Sequence, residues 1–107
     1  MKRSKIVLPL AAASLIGGTC WAAAAITVNQ KNLTFSIARL TVTKGAVVAF
    51  LNGDKTSHNI LVRGKGVNVS SGLQRPGVTF KAPFQKSGTY QVSCGIHPKM
   101  KMSVIVK

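Results

Sequence analysis

The sequence predicts an all-β fold, a sandwich of about seven to eight short strands. Three observations predict it. No stretch sustains a helical period. Runs of β-branched and aromatic residues recur between Gly, Pro, Asn and Ser turn signals. One run, Ala46-Val47-Val48-Ala49-Phe50-Leu51, is apolar throughout, as suits a strand covered on both faces.

Taken in order, Ile26-Thr27-Val28 and Leu33-Thr34-Phe35 carry the β-branched and aromatic residues that favour strands. Leu40-Thr41-Val42-Thr43 alternates, and Lys44-Gly45 turns the chain into the Ala46 run. Asn52-Gly53-Asp54 is a turn signal, after which Asn59-Ile60-Leu61-Val62 resumes a strand. Arg63 to Pro76, rich in Gly and Ser, reads as loop with room for one short strand. Val78-Thr79-Phe80 and Thr89-Tyr90-Gln91-Val92 follow, separated by Pro83 and by Lys86-Ser87-Gly88. A hydrophobic strand closes the chain. There is no internal repeat, second domain or linker in the pattern.

A leader precedes this domain. Lys2-Arg3-Ser4-Lys5, an apolar Ile6 to Gly18 and the small residues Ala22 to Ala25 have the form of a secretory signal. The apolar run is shorter than the roughly 20 residues of a membrane span. Residues 1–24 are therefore expected to be removed, with the cut between Ala22 and Ile26, leaving a single domain over 25–107. The expected destination is the periplasm, without stable membrane insertion after cleavage. Cys20 leaves with the leader, so Cys94 is the one thiol of an exported domain, and an odd thiol there needs an explanation.

Charge narrows the function. Lys and Arg number 15 against one acid, Asp54, for a formal +14; losing Lys2, Arg3 and Lys5 leaves +11 (14 − 3). Such a surface attracts anions. A nucleic-acid module would interleave aromatics with its basic patch, whereas Phe35, Phe50, Phe80, Phe84 and Tyr90 fall in or near strands and read as core. A lone acid also excludes chemistry that needs paired carboxylates. No nucleophile and base stand together, so the chain does not read as an enzyme.

The remaining chemistry is concentrated in two short segments. Cys94, His97, Met100 and Met102 follow one another in Cys94-Gly95-Ile96-His97-Pro98-Lys99-Met100-Lys101-Met102, and the other histidine is His58. Thiolate and thioether are soft ligands and imidazole suits copper, so two His, one Cys and one Met make a blue-copper donor set. Taken singly, Cys94 reads as a small buried hydrophobe, His58 and His97 as loop histidines, and either methionine as core filling. Their concentration is what favours a metal.

At these residues the chain resembles the cupredoxins, closest to the amicyanin, plastocyanin and pseudoazurin group. Asn52 leading to His58-Asn59, Gly88-Thr89-Tyr90 leading to Cys94, and Cys94-x-x-His97-Pro98-x-Met100 before a final strand carry the likeness, over roughly Ile26 to Lys107. It implies a Greek-key sandwich holding one copper ion, cycling between Cu(I) and Cu(II), on His58, Cys94, His97 and an axial methionine. Met100 has the amicyanin-like spacing from His97 and Met102 the plastocyanin-like one. Distance to the chain end favours Met100, with Met102 the alternative. Asn59 is implied to tie the two ligand loops together from behind the metal. Ile96 stands where the family often has proline, so a backbone donor is retained near the sulfur.

The function so implied is one-electron transfer by a monomeric periplasmic carrier, with periplasmic copper delivery as the alternative. Ile96 and Pro98 flank His97 at the expected point of electron entry. Lys99 and Lys101 would steer an acidic redox partner into a transient, salt-sensitive encounter.

Overall fold

The computed structural model describes residues 26–107; the expected leader over 1–24, Cys20 with it, lies outside them. Nine strands are described: β1 (Ile26–Lys31), β2 (Thr34–Phe35), β3 (Arg39–Val42), β4 (Ala46–Asn52), β5 (Ile60–Gly64), β6 (Val67–Ser70), β7 (Thr79–Phe84), β8 (Gly88–Cys94) and β9 (Lys101–Val106). They form a four-stranded sheet, ordered β2-β1-β4-β7, and a five-stranded sheet, ordered β3-β9-β8-β5-β6. No helix occurs among the described residues.

The core lies between the sheets. Val28, Val48, Phe50, Val92 and Val104 are fully buried, as is Tyr90, whose hydroxyl donates to the Lys86 carbonyl at 2.7 Å. On β9 the period-two rule holds, with Met102, Val104 and Val106 buried and Lys101 exposed. Met100, just ahead of β9, continues the buried series.

Arg63 to Pro76 holds the one short strand for which it had room, β6, which pairs with β5 and brings the count to nine. The structure departs from the sequence expectation at two places. Pro83 was expected between strands and instead lies inside β7, opposite Val47. β7 is the edge of its sheet, where a residue without an N–H is tolerated. Leu33 was expected in a strand and instead forms a two-residue turn with Asn32, at φ 59° and 55°. Lys31 pairs with Thr34 across that turn. Left-handed φ at both central residues is the hairpin geometry that matches strand twist. For Leu the conformation costs about 1–2 kcal/mol, so something must hold it.

One end of the sandwich is polar inside. Gln30 and Asn52 are fully buried and Gln74 nearly so. Gln74 Nε2 donates to the carbonyls of Phe50 (2.7 Å) and Val78 (2.8 Å), and Gln74 Oε1 accepts from Gln30 Nε2 at 2.8 Å. Asn52 Nδ2 donates to the carbonyls of Thr56 and Gln74. The Gln74 backbone in turn exchanges both hydrogen bonds with His58, at 2.9 and 2.7 Å. This amide cluster therefore fixes the chain at Thr56 and at His58 itself. Gln74→Ala would remove one partner each from the Gln30 amide and the Phe50 and Val78 carbonyls, leaving Leu51 O to Gln30 and Asn52 N to Val78, and is expected to lower stability by about 1–3 kcal/mol. Denaturant unfolding of the variant checks this; a loss below about 0.5 kcal/mol would mean that water replaces the amide freely.

Candidate metal centre

His58, Cys94 and His97 come together at the end of the sandwich that holds the amide cluster. The pairing of β5 with β8 brings them there. Ile60 lies opposite Cys94, so the residues just before β5 meet the end of β8. Gly95 N donates to the Asn59 carbonyl at 2.8 Å, and Asn59 N donates to Cys94 Sγ at 3.3 Å. Beyond Cys94 the chain turns back, with Met100 N donating to the His97 carbonyl at 2.9 Å. That turn returns His97 to the sulfur three residues behind it.

The two imidazoles meet edge to face, with Nδ1 of each turned inward. His58 Nδ1 is 3.2 Å from His97 Nδ1 and 3.6 Å from Cys94 Sγ, and His97 Nδ1 is 3.8 Å from the sulfur. Among the described residues this is the one cluster of three or more His, Cys or acidic groups able to share an ion. The separations suit a metal. Three donors each about 2.0–2.3 Å from one centre, the usual reach of imidazole nitrogen and thiolate sulfur, stand about this far apart.

Asp54 fixes the tautomer of His58. Its Oδ2 lies 2.8 Å from His58 Nε2. A carboxylate only accepts, so Nε2 carries the proton and the Nδ1 lone pair faces the cluster. The same carboxylate accepts from Asn32 N at 2.6 Å and Leu33 N at 3.0 Å, the two left-handed residues of the β1–β2 turn. Burial pushes the Asp54 carboxyl up. The bonds from His58, Leu33 and Asn32, with the charge attraction to His58, outweigh it and hold the carboxyl below its ordinary 3.8.

Exposure separates the two histidines. His58 is fully buried and Cys94 nearly so, while His97 is half-buried. His97 opens into a shallow recess lined by Leu33, Ile96, Pro98, Lys99 and Met100. Leu33 and Ile96 are among the most exposed large apolar side chains of the described residues. Met100 is buried and lines this recess, whereas Met102 belongs to the hydrophobic core beneath. Lys99 and Lys101 are exposed.

Asn59 ties the ligand loops through its backbone, while its side-chain Oδ1 accepts from Ser70 on β6 at 2.8 Å. It is the only amide bonded to the sulfur among the described residues, so the donor kept at Ile96 points elsewhere. Sequence reasoning missed Asp54, Leu33 and Gln74. Asp54 carried a signal, being the sole acid and four residues before His58. Leu33 and Gln74 carried none, because their roles arise from pairings across the fold.

A two-layer β-sandwich closed at one end by a cluster of two histidines and one cysteine defines a small β protein able to bind a metal. The chain belongs to the plastocyanin/azurin family of copper-binding proteins, whose model matches residues 22–107. Its cofactor is copper, and electron transfer is the general role of that family. Solved structures similar to it include amicyanin in a reduced Cu(I) form, 23% identical, with a TM-score of 0.72 over 78% of this chain and 82% of the other. A purple cupredoxin from Nitrosopumilus maritimus is 22% identical, with a TM-score of 0.68 over 77% and 99%. A copper-containing nitrite reductase from Thermus scotoductus is 24% identical with a TM-score of 0.72, but the likeness spans only 22% of that chain, against 78% of this one. No curated protein sequence matches the chain.

Asp54→Ala should destabilise the copper-free protein by about 2 kcal/mol, since it removes the acceptor of one buried and two turn donors. The sign with pH follows from the lowered carboxyl. Its contribution is full above about pH 4, the unfolded-chain value, and is lost as pH falls through the lower folded-state value. Unfolding curves of both proteins across acid pH check this; a gap that widened in acid would contradict it.

Proposed function

We propose that the protein is a periplasmic one-electron carrier whose single copper ion is held by His58, Cys94 and His97, with Met100 as axial ligand. The observation that carries the assignment is the convergence of two inward Nδ1 atoms and one buried sulfur within 4.8 Å of one another. Copper in such a site supplies a one-electron couple between Cu(I) and Cu(II). The protein's own residues supply rigidity. Asp54 holds His58 in one tautomer, and the Asn59 amide supports the negative charge on Cys94 Sγ. Buried donors fixed from behind need not rearrange when charge changes, which suits electron transfer. It also weighs against copper delivery, the alternative, which requires the ion to leave past these groups.

Several observations support Met100 over Met102. Met100 lines the recess beside His97, and its carbonyl accepts from Cys94 N at 3.3 Å, while Met102 packs into the core. A carrier rather than an enzyme accords with electron transfer as the general role of the family. Export through the N-terminal leader is supported by the pattern of residues 1–25. The partner is an acidic redox protein docking transiently on Leu33, Ile96 and Pro98, steered by Lys99 and Lys101 toward a monomeric carrier.

Visible and paramagnetic-resonance spectra with Cu(II) test the site. The native protein should show an intense thiolate-to-copper band, and Cys94→Ser should lose it while remaining folded. A blue Cys94→Ser protein would sink the assignment. Met100→Leu should keep copper but shift spectrum and potential, whereas Met102→Leu should do little; the reverse order would assign the axial position to Met102. For the partner, electron-transfer rates should fall roughly tenfold as salt screens the encounter. Lys99→Glu with Lys101→Glu should slow low-salt transfer without changing the copper spectrum. Rates indifferent to both would leave these lysines without a docking role.

A further inference from the structure

The end of the sandwich opposite the metal cluster has a composition of its own. β4, β7, β8, β9, β3 and β5 all start or finish there, and the turns between them meet. Lys44 N donates to the Lys107 carbonyl at 3.2 Å, and Lys107 N donates to the Val42 carbonyl at 2.9 Å. Gly45 N donates to the Phe84 carbonyl at 2.7 Å, which joins the β3–β4 turn to the end of β7. Gly88, the first residue of β8, pairs with Val106 at the end of β9. The Lys65 side chain lies along Gly88, leaving no room there for a Cβ.

Each of the four chain segments that make this pole therefore carries one exposed lysine: Lys44, Lys65, Lys86 and Lys107. Their neighbours in the turns are Thr43, Gly45, Gly64, Gly66, Gln85, Ser87 and Gly88. No acid and no exposed large apolar side chain belongs to these turns. The turns are held as well as charged. Tyr90 anchors the Lys86 carbonyl at 2.7 Å, and Lys65 sits at φ 49° between two glycines of positive φ.

We propose that this lysine pole is a second docking surface, which seats the protein on an anionic lipid bilayer with the metal cluster facing away. The chemistry favours headgroups over a protein partner. Protein interfaces draw their affinity from aromatic, Arg and aliphatic anchors in pockets; the one small recess at this pole, beside Lys86, is backed by Val62, Phe84 and Tyr90, which are already buried in the core, and no large apolar side chain projects from the turns. Lysine ammonium groups on flexible stems act as point charges and need no bidentate geometry, which suits a fluid layer of phosphates. The opposite pole also carries exposed lysines, Lys31, Lys55, Lys99 and Lys101, but adds Leu33, Ile96 and Pro98 exposed around a recess, which suits a protein partner.

The two poles are electrostatically independent. β8, with seven residues from Gly88 to Cys94, links them and spans about 20 Å. Screening at physiological salt acts over about 8 Å. A bilayer touching Lys44 and Lys86 is therefore felt weakly at Lys99 and Lys101. Seating here leaves His97 free for a soluble partner. The proposal concerns adsorption by headgroup charge, not insertion; no helix of the described residues is long and apolar enough to cross a membrane. It does not depend on the copper assignment.

Co-sedimentation of the exported protein with vesicles tests it. Phosphatidylcholine vesicles containing roughly 30% phosphatidylglycerol should bind the protein and pure phosphatidylcholine should not. A lysine at an anionic surface is worth about fivefold in affinity. The combined Lys44→Gln, Lys65→Gln, Lys86→Gln and Lys107→Gln variant should thus lose binding by about a hundredfold or more. Lys55→Gln with Lys99→Gln and Lys101→Gln, at the other pole, should lose less than about threefold. Circular dichroism establishes that each variant is folded. If the quadruple variant does not fold, Lys65→Gln with Lys86→Gln should still lose at least about tenfold. Equal losses from the two poles would overturn the proposal, as would native protein that ignores anionic vesicles. Polyglutamate that binds the native protein more tightly than the vesicles, through these same lysines, would replace the bilayer with an acidic protein.

Discussion

The pairing of β5 with β8 is the constraint on which the site depends. His58 and Cys94 are 36 residues apart, and nothing local brings them together. The register does so, by setting Ile60 opposite Cys94. It also aims Cys94 inward. Side chains alternate along a strand, so a slip of one residue would turn the sulfur to solvent and bury Ser93 in its place. The register is held from both faces: Ile60, Val62 and Val92 are buried on the core side, and the Asn59 backbone bonds both Cys94 Sγ and Gly95 N at the end. Core packing and metal geometry are thus fixed by one set of pairings.

Hydrogen bonds then convert position into orientation. The amide cluster of Gln30, Asn52 and Gln74 is buried with a donor or acceptor for nearly every atom, Gln30 Oε1 being an exception. A polar cluster in a core is costly unless its members satisfy one another, and this one fixes the backbone at Thr56 and His58. Asp54 acts one layer further out. Its carboxylate spans His58 and the amides of Asn32 and Leu33, so it joins a metal-facing imidazole to a strained turn. Two charge-assisted bonds from backbone donors, each worth about 1.5–3 kcal/mol when shielded, are enough to hold Leu33 in a left-handed conformation. The result is an apolar side chain presented at the rim of the His97 recess.

The sandwich and the residues of the His58, Cys94 and His97 cluster were legible in the sequence because they rest on local signals. Alternation in β9 placed Met100, Met102, Val104 and Val106 on one face, and the structure buries all four. Soft donors packed into Cys94 to Met102 carried their own chemistry. Pro83 misled because a proline reads as a break unless its strand is known to be an edge, and edge position is a property of the whole sheet. Leu33 misled because a β-branched and aromatic neighbourhood looks like strand, while the carboxylate that stabilises the turn lies 21 residues away. The role of Gln74 was invisible for the same reason: its partners Phe50, Gln30 and His58 lie on other elements.

The lone acid of the sequence acquires its meaning from the structure. Every Lys and Arg of the described residues lacks a carboxylate partner, because Asp54, the one available, is bound to His58. A surface of unpaired like charges repels itself and works against compactness. The fold divides that charge between its two ends: Lys44, Lys65, Lys86 and Lys107 lie at one, and Lys99 and Lys101 a strand's length away at the other. That division does not neutralise the charge, and surface ion pairs would have added little stability in any case. The unneutralised charge therefore has its main effect outside the molecule, on anionic surfaces and partners. Leu33, Ile96 and Pro98 mark the pole where apolar contact can follow electrostatic encounter, and the lysine turns mark the pole where it cannot.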